Sequence, residues 1–295
     1  MIRVALNGGL GNQLFQYAAA KTLAVKHNTS LGLDVIPLYS KLQVSSLATY
    51  RKLELDVFCI EAQRNEMLFR NKYLYPLSKT HFFLNRLYNS WKFTYFKEKD
   101  FSFDSSVLEL PDNTYLDGHF QSEKYFKPIE EIIRNECRFK QPLYGKNREW
   151  ESIIANNASV SVHIRRGDYV SLQKNLQKHG ATSLEYYQKA VGLMAAKIHQ
   201  PLFFIFTDDV PWVRAHFKLD FPFHIIDNNT TAESSHLDMQ LMSLCRHHII
   251  CNSTFSWWGA WLNNKADKIV MAPEKWFADP SINSKDIYPS DWIKL

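Results

Sequence analysis

Long apolar runs are missing from this sequence: the longest, such as Leu202 to Phe206, are strand-sized and fall far short of the ~18 residues a membrane helix needs. No integral membrane segment is expected, and the chain reads as soluble. Its start, Met-Ile-Arg-Val-Ala-Leu-Asn, lacks the basic n-region and apolar core of a signal peptide, so a cytoplasmic location is expected. Cysteine is sparse. Cys59, Cys137, Cys245 and Cys251 are scattered with no Cys-x-x-Cys pair, which argues against a disulfide framework or zinc ribbon and predicts reduced core residues. Metal-ligand spacings are absent too: His247-His248 and His216 form no His-Glu-x-x-His pattern, and Asp208-Asp209 are adjacent, without Asp-x-Asp spacing. No internal repeat or low-complexity tract is evident. Nor is there a strong charge excess. The 35 basic and 30 acidic residues leave +5, which suits anionic ligands but not a polyanion footprint, and does not by itself separate nucleic acid, phosphate and membrane partners.

What is present is an ordinary globular composition, 45% hydrophobic and 22% charged over 295 residues, enough for two domains with their own cores. Short apolar runs alternate with amphipathic stretches, the pattern of an α/β protein with a parallel sheet. Ile2 to Leu6 predicts a strand, Asn12 to His27 a helix and Leu31 to Val35 a second strand. Between about Tyr39 and Phe126 the periods are weak. A polar segment near Gln141–Asn147 places the domain join at about 140–157, giving domains 1–150 and 151–295, with the last ~20 residues free to return to the first. In the second half, strands are expected at Ser159–Ile164, Leu202–Phe206, His224–Ile226, His248–Cys251 and Lys268–Ala272. Helices are expected at Leu184–Ile198, Pro211–Phe217, Ala232–Cys245 and Phe255–Asn263.

Four strand-to-helix junctions carry polar groups. The first, Asn7-Gly-Gly-Leu-Gly-Asn-Gln-Leu-Phe-Gln16, is a glycine-rich loop suited to an anion; it is also readable as a plain tight turn. It departs from a dinucleotide fingerprint at Leu14, although Asp34 stands at a ribose-like distance downstream. The second is Ser159-Val-Ser-Val-His-Ile-Arg-Arg-Gly-Asp168. Alternation there buries Val160, Val162 and Ile164 and sends His163 and Arg165 to the other face, at the strand end where open sheets bind ligands. Arg165 and Arg166 form a clamp suited to a diphosphate; the plain alternative is an Arg165–Asp168 surface pair beside a packed histidine. In the third, Phe203-Phe-Ile-Phe-Thr-Asp-Asp209, Asp209 reads as an N-cap, leaving Asp208 to accept hydrogen bonds. The fourth, His248 to Leu262, sets Asn252, Ser253 and Thr254 at a helix start able to receive phosphate or to cap the helix. Phe255, Trp258, Gly259 and Leu262 follow as a buried face, with Gly259 allowing close packing.

Taken together, Gly8-Gly-Leu-Gly-Asn-Gln-Leu-Phe-Gln-Tyr17, His163-Ile-Arg-Arg-Gly-Asp-Tyr169, Phe206-Thr-Asp-Asp209 and Asn252-Ser-Thr-Phe-Ser-Trp-Trp-Gly-Ala-Trp261 resemble the bacterial α-1,2-fucosyltransferases, in the family's order. Gly118-His-Phe-Gln-Ser-Glu-Lys-Tyr125 and Ser183-Leu-Glu-Tyr-Tyr187 are similar as well. The resemblance implies a GT-B architecture, two Rossmann-like domains facing across a cleft, with GDP-fucose on the C-terminal domain and a galactoside acceptor, lipid-linked in some settings, on the N-terminal one. It implies inversion at the anomeric carbon, no metal and no other cofactor, and a place in surface polysaccharide or O-antigen synthesis. Peripheral contact with the inner face of the membrane would accompany a lipid-linked acceptor. By the same resemblance, Arg165 and Arg166 grip the diphosphate, His163 lies near the nucleoside and Asp208 reads the guanine. Asn252, Ser253, Thr254 and Ser256 line the phosphates, and Gly11 and Asn12 reach the donor from the other domain. Asp168 is the candidate base, or else orients the arginines. Two rival readings are a nucleotide-dependent oxidoreductase built on the first loop, and a polyanion-binding module using the basic, aromatic stretch at 64–99. The lack of a repeated period there favours a solvated aromatic surface and no nucleic-acid partner.

Overall fold

A computed structural model of the chain describes residues 1–39, 52–64, 79–166, 180, 182–231 and 233–295. They fall into two compact units, Met1–Lys140 with Lys285–Ile287, and Gln141–Ser284 with Tyr288–Leu295. Each is built on a parallel sheet.

The first unit runs β1 (Ile2–Ala5), α1 (Leu10–Lys26), β2 (Leu31–Asp34), β3 (Gln63–Arg64), α2 (Lys79–Lys92), β4 (Thr94–Lys97), β5 (Thr114–Asp117) and α3 (Glu130–Glu136). Its sheet order is β3-β2-β1-β5-β4, so β1 is central. Helix α1 buries nearly its whole circumference, including Leu14, Tyr17, Leu23 and the run Ala18-Ala-Ala20. Small alanines let it lie close among its neighbours, and no polar stripe is needed. Asp34 is fully buried: it accepts from Tyr115 Oη at 2.8 Å, Asn89 Nδ2 at 3.3 Å and the Ile36 amide at 3.0 Å. A carboxylate locked into the core in this way serves no ribose, and Leu14, 0% exposed, fills the third-glycine position. Elements α2, β4 and β5 lie in the stretch where the sequence showed no clean period, because aromatic and basic residues are interspersed there without regular alternation.

The second unit runs α4 (Lys146–Ala155), β6 (Ala158–Ile164), α5 (Leu184–Lys197), β7 (Pro201–Thr207), α6 (Val210–His216), β8 (Phe223–Ile226), α7 (Ser235–Leu244), β9 (His247–Ile249), α8 (Thr254–Leu262), β10 (Val270–Ala272) and β11 (Ile293–Lys294). The sheet order is β11-β10-β9-β6-β7-β8. Apolar layers cover both faces: Val160, Val162, Phe203 and Ile205 pack with Val191 and Met194 of α5, while Phe204 and Phe206 pack with Leu241 and Met242 of α7. The expected alternation on β6 is therefore corrected. As a central strand of a doubly covered parallel sheet it buries both sets of side chains, His163 included. The expected apolar stripe on α8 is likewise too narrow. Trp257, Trp258 and Trp261 are all buried, while Phe255 and Leu262 of the expected stripe are half-buried, and a Cβ on Gly259 would stand 3.1 Å from Met242 Cβ, which fits close packing on α7. Of the cysteines, Cys137, Cys245 and Cys251 are buried as expected, but Cys59 is only half-buried.

His248 shows how the sheet accommodates a polar side chain. It is fully buried, with Ser161 Oγ 2.8 Å from Nδ1 and Asn263 Nδ2 2.8 Å from Nε2. The amide donates to Nε2, so Nδ1 carries the proton and donates to the hydroxyl. Burial, aided by Lys268 and His247, holds the imidazole well below its ordinary pKa, so the folded state binds no proton here where the unfolded chain does. Stability from this neutral histidine is present above the unfolded pKa of about 6.5 and declines as pH falls below it, by about 1.4 kcal/mol per unit. His248→Asn is accordingly expected to destabilise the protein at pH 7.5, with the deficit shrinking by about 2 kcal/mol at pH 5, in paired urea titrations; a deficit independent of pH would contradict the neutral assignment.

Candidate active site

Strand register brings the charged residues of the second unit together. β6 and β7 pair in parallel with Ile164 opposite Thr207, so the next residues along each strand, Arg165 and Arg166, run beside Asp208 and Asp209. Arg165 Nε lies 3.5 Å from Asp208 Oδ2, the Arg166 amide donates to Asp208 Oδ1 at 2.8 Å, and Arg166 Nε lies 3.5 Å from Asp209 Oδ2. The Arg166 guanidinium also stacks on Trp212, 3.6 Å from the ring centroid. Asp209 does double duty, since its Oδ1 caps α6 by accepting from the Trp212 amide at 3.1 Å. Both arginines keep about a fifth of their side-chain surface exposed. Two fixed positive charges thus stand at the carboxyl end of the central strand, each held by a carboxylate and one by an indole face.

The other wall comes from β9. The chain leaves β6 toward β7 and β8 on one side, then returns to lay β9 on the other, so the strand order reverses between β6 and β9. Ligands of open α/β sheets bind at such a point, outside the carboxyl ends. Here Cys251 Sγ lies 3.2 Å from His163 Nδ1 and 3.7 Å from Ser256 Oγ. His163 is 4% exposed and packs its ring against Phe255. Burial first, and the Arg165 charge second, push its pKa down to about 4 against the pull of Asp208, so it is a neutral imidazole at physiological pH. Burial pushes the Cys251 thiol up to about 11, partly offset by Ser256 and Arg165, leaving it protonated.

The start of α8 closes this wall. Ser253 is its N-cap, accepting from the Phe255 amide at 3.3 Å. Ser256 is buried and donates to the Ser253 carbonyl at 3.2 Å, whereas Thr254 is half-buried in the first turn. Asn252 is a strut. Its amide reaches the carbonyls of Gly180 at 3.3 Å and Trp276 at 3.1 Å, and its oxygen accepts from Thr182 Oγ1 at 2.9 Å. The Tyr186-Tyr187 pair fastens α5 to the same strand ends: Tyr187 Oη donates to the His163 carbonyl at 2.9 Å, and Tyr186 Oη to the Ile250 carbonyl at 2.6 Å. Trp212, Asp209 and Cys251 were not read as site residues from the sequence. The parallel register reveals Asp209 and the stacking of Arg166 reveals Trp212, both contacts between residues more than 40 apart.

Gly11 and Asn12 belong to the first unit. Gly8 turns at φ +74°, and a Cβ there would meet Asn12 Nδ2 at 2.4 Å, so the loop folds tightly under that side chain. Asn12 Oδ1 accepts from Gln121 at 3.0 Å, and Gln16 ties the Asn7 amide to the Gly118 carbonyl at 3.0 Å each. Glu98 receives the His119 amide at 2.5 Å and the Phe120 amide at 2.9 Å, and burial lifts its pKa to about 7. Gly11 is buried in the first turn of α1. The glycine loop and the Gly118–Tyr125 segment are therefore one construction at the carboxyl ends of β1 and β5. Asp168 lies outside the described residues, as does its neighbour Gly167. Among the described residues no three His, Cys, Asp or Glu side chains gather where they could hold a metal ion, and no helix is long and apolar enough to cross a membrane.

Comparison with known proteins bears on this arrangement. The O-antigen biosynthesis glycosyltransferase WbnK of Escherichia coli is 34% identical over 307 aligned residues, covering 98% of this chain and 99% of its own. An alpha-1,2-colitosyltransferase of Escherichia coli is 33% identical over 297 residues, covering 98% and 97%. Among solved structures, a variant of Arabidopsis thaliana FUT1 in complex with GDP superposes with a TM-score of 0.50 at 11% identity, over 98% of this chain and 74% of that one, which is a likeness of fold. The two parallel-sheet α/β units accord with a GT-B chain, and the sequence profile of glycosyl transferase family 11 matches residues 1–295. The chain thus belongs to glycosyl transferase family 11.

Proposed function

We propose that the protein transfers L-fucose from GDP-fucose to the 2-hydroxyl of a galactose-type residue, in α-1,2 linkage with inversion and without a metal, in surface polysaccharide or O-antigen synthesis. The observation that carries this reading is the braced pair Arg165 and Arg166 at the reversal point of the second sheet. Guanidinium groups meet phosphate oxygens through paired donors and keep their charge at any working pH. In the displacement, the acceptor oxygen bonds to fucose C1 as the C1–O bond to the β-phosphate breaks. The hydroxyl proton passes to a base, and the electron pair of the broken bond goes to the phosphate. Fixed guanidinium charge facing that oxygen stabilises the developing anion where a metal ion otherwise would.

Each remaining residue has a part in the proposal. Asp208 holds both arginines and keeps acceptor capacity for N–H groups of the guanine edge. Neutral His163 shapes the nucleoside side. Ser253, Thr254 and Ser256 bring the first turn of α8 to the phosphates, and Asn252 positions that turn through Gly180, Thr182 and Trp276. Gly11 and Asn12 complete donor binding, and Asp168 takes the acceptor proton. A galactoside acceptor and a cytoplasmic site of action, peripheral to the membrane where the acceptor is lipid-linked, belong to the same reading.

The direct test is incubation with GDP-fucose and a panel of β-galactosides in EDTA, followed by linkage analysis. Transfer in α-1,2 linkage is expected, and no transfer to any acceptor, with no thermal protection by GDP, would refute the reading. Arg165→Ala is expected to lower kcat about 100-fold or more. Asp168→Asn should lower kcat by about 10²-fold or more if that carboxylate is the base, and full activity would remove it from the role. The donor is checked against its 3-deoxy counterpart, the colitose donor. A site that hydrogen-bonds the fucose 3-hydroxyl rejects the deoxy sugar by on the order of 10⁴ in kcat/KM. Preference for the colitose donor would keep the family and overturn the fucose assignment.

A further inference from the structure

Helix α2 carries an apolar face turned away from the protein. Leu84, Leu87, Tyr88 and Trp91 are 55%, 55%, 45% and 85% exposed. They stand at i, i+3, i+4 and i+7, which on an α-helix is one strip about 100° wide. The other side of the helix is the anchored one. Asn89 is fully buried, donating to Asp34 and accepting from Arg3. The strip is thus the face left over after α2 has docked on its sheet, and it is presented by a helix whose polar residue is already committed to the core.

The stretch of sequence that carries the strip is basic. From Met67 to Lys97 the sequence has no Asp or Glu, while Arg70, Lys72, Lys79, Arg86, Lys92 and Lys97 are all basic. Among these, Arg86, Lys92 and Lys97 are exposed in the structure. Lys92 Nζ sits 5.5 Å from the Tyr88 ring centre, and Arg86 lies over Tyr95 at 5.5 Å. Lys92 Nζ also donates to Tyr88 Oη at 3.1 Å, so its stem runs beside the apolar strip and its exposed head stands at the strip's edge. Leucine, tryptophan and tyrosine on one face with a flanking lysine form the pattern of a helix lying in the interface of an anionic bilayer, its apolar strip among the acyl boundary and its cation at the headgroups.

We propose that α2 is an interfacial helix that docks the first unit on an anionic lipid surface through Leu84, Leu87, Tyr88 and Trp91, with Lys92 and Lys97 at the headgroups. Nothing in this depends on the identity of the sugar donor. A second copy of the chain is the less suitable occupant, since pairing two such faces would set like charges against each other across the contact.

The test is co-sedimentation of the full chain with vesicles of phosphatidylglycerol and phosphatidylcholine, compared with phosphatidylcholine alone. Binding is expected on the anionic vesicles, weakening with added salt. Leu87→Ser with Trp91→Ser is expected to reduce partition about tenfold or more, because both residues sit in the apolar strip. Lys92→Glu and Lys97→Glu, which leave the strip intact, are each expected to reduce it about fivefold or more. Thermal unfolding and turnover of a soluble acceptor should be unchanged in all variants. Wild-type partition in the Leu87/Trp91 variant, equal binding to neutral vesicles, or a concentration-dependent dimer that this variant dissociates would each overturn the proposal.

Discussion

Parallel register between two central strands is the constraint on which the candidate site depends. Two adjacent guanidinium groups repel, and keeping both at one strand end requires carboxylates fixed at matching height. Pairing Ile164 with Thr207 supplies them without any dedicated loop, since Asp208 and Asp209 follow β7 just as Arg165 and Arg166 follow β6. The register itself is held by the cores above and below, where Val160, Val162, Phe203 and Ile205 interlock with α5 and Phe204 and Phe206 with α7. A one-residue slip would exchange these two sets between faces. Packing in the middle of the sheet therefore decides electrostatics at its edge.

The polar groups beneath the site follow the same logic. His163, Cys251 and Ser256 form a buried chain behind the arginines, and burial keeps the imidazole and the thiol uncharged. A positive charge on His163 would be a third beside Arg165 and Arg166, and burial together with Arg165 prevents it. The tyrosines of α5 hold backbone carbonyls at the ends of β6 and β9, which ties the helix to both strands at the reversal point. In the first unit the glycine loop is tied to the turn after β5 by Gln16, Asn12 and Gln121, which turns two separated sequence motifs into one rigid construction.

Much of this was legible in the residues. The βα alternation of the second half predicted five strands and four helices that the structure contains, because short apolar runs bounded by polar turns and separated by amphipathic stretches leave few other options. The first half was readable only to Asp34. Beyond it, strands that mix aromatic with polar residues and a helix with an exposed apolar face give no period that separates buried from solvent-facing positions. Asn252 and Asp208 show the limit at the level of a side chain: their positions in motifs pointed to ligands, and their partners within the fold are visible only in three dimensions.

The residue string alone determined that this is an α/β chain with strand-to-helix junctions bearing arginines, carboxylates and hydroxyls, since local periodicity and turn chemistry depend on neighbours in sequence. Tertiary structure decided which junctions meet. The pairing of Arg165 with Asp208, the stacking of Arg166 on Trp212 and the closing of the second wall by β9 join residues that are tens of positions apart. Burial on both faces of β6, and with it the neutral state of His163, likewise required the covering helices to be in place. These are properties of packing, which no local pattern encodes.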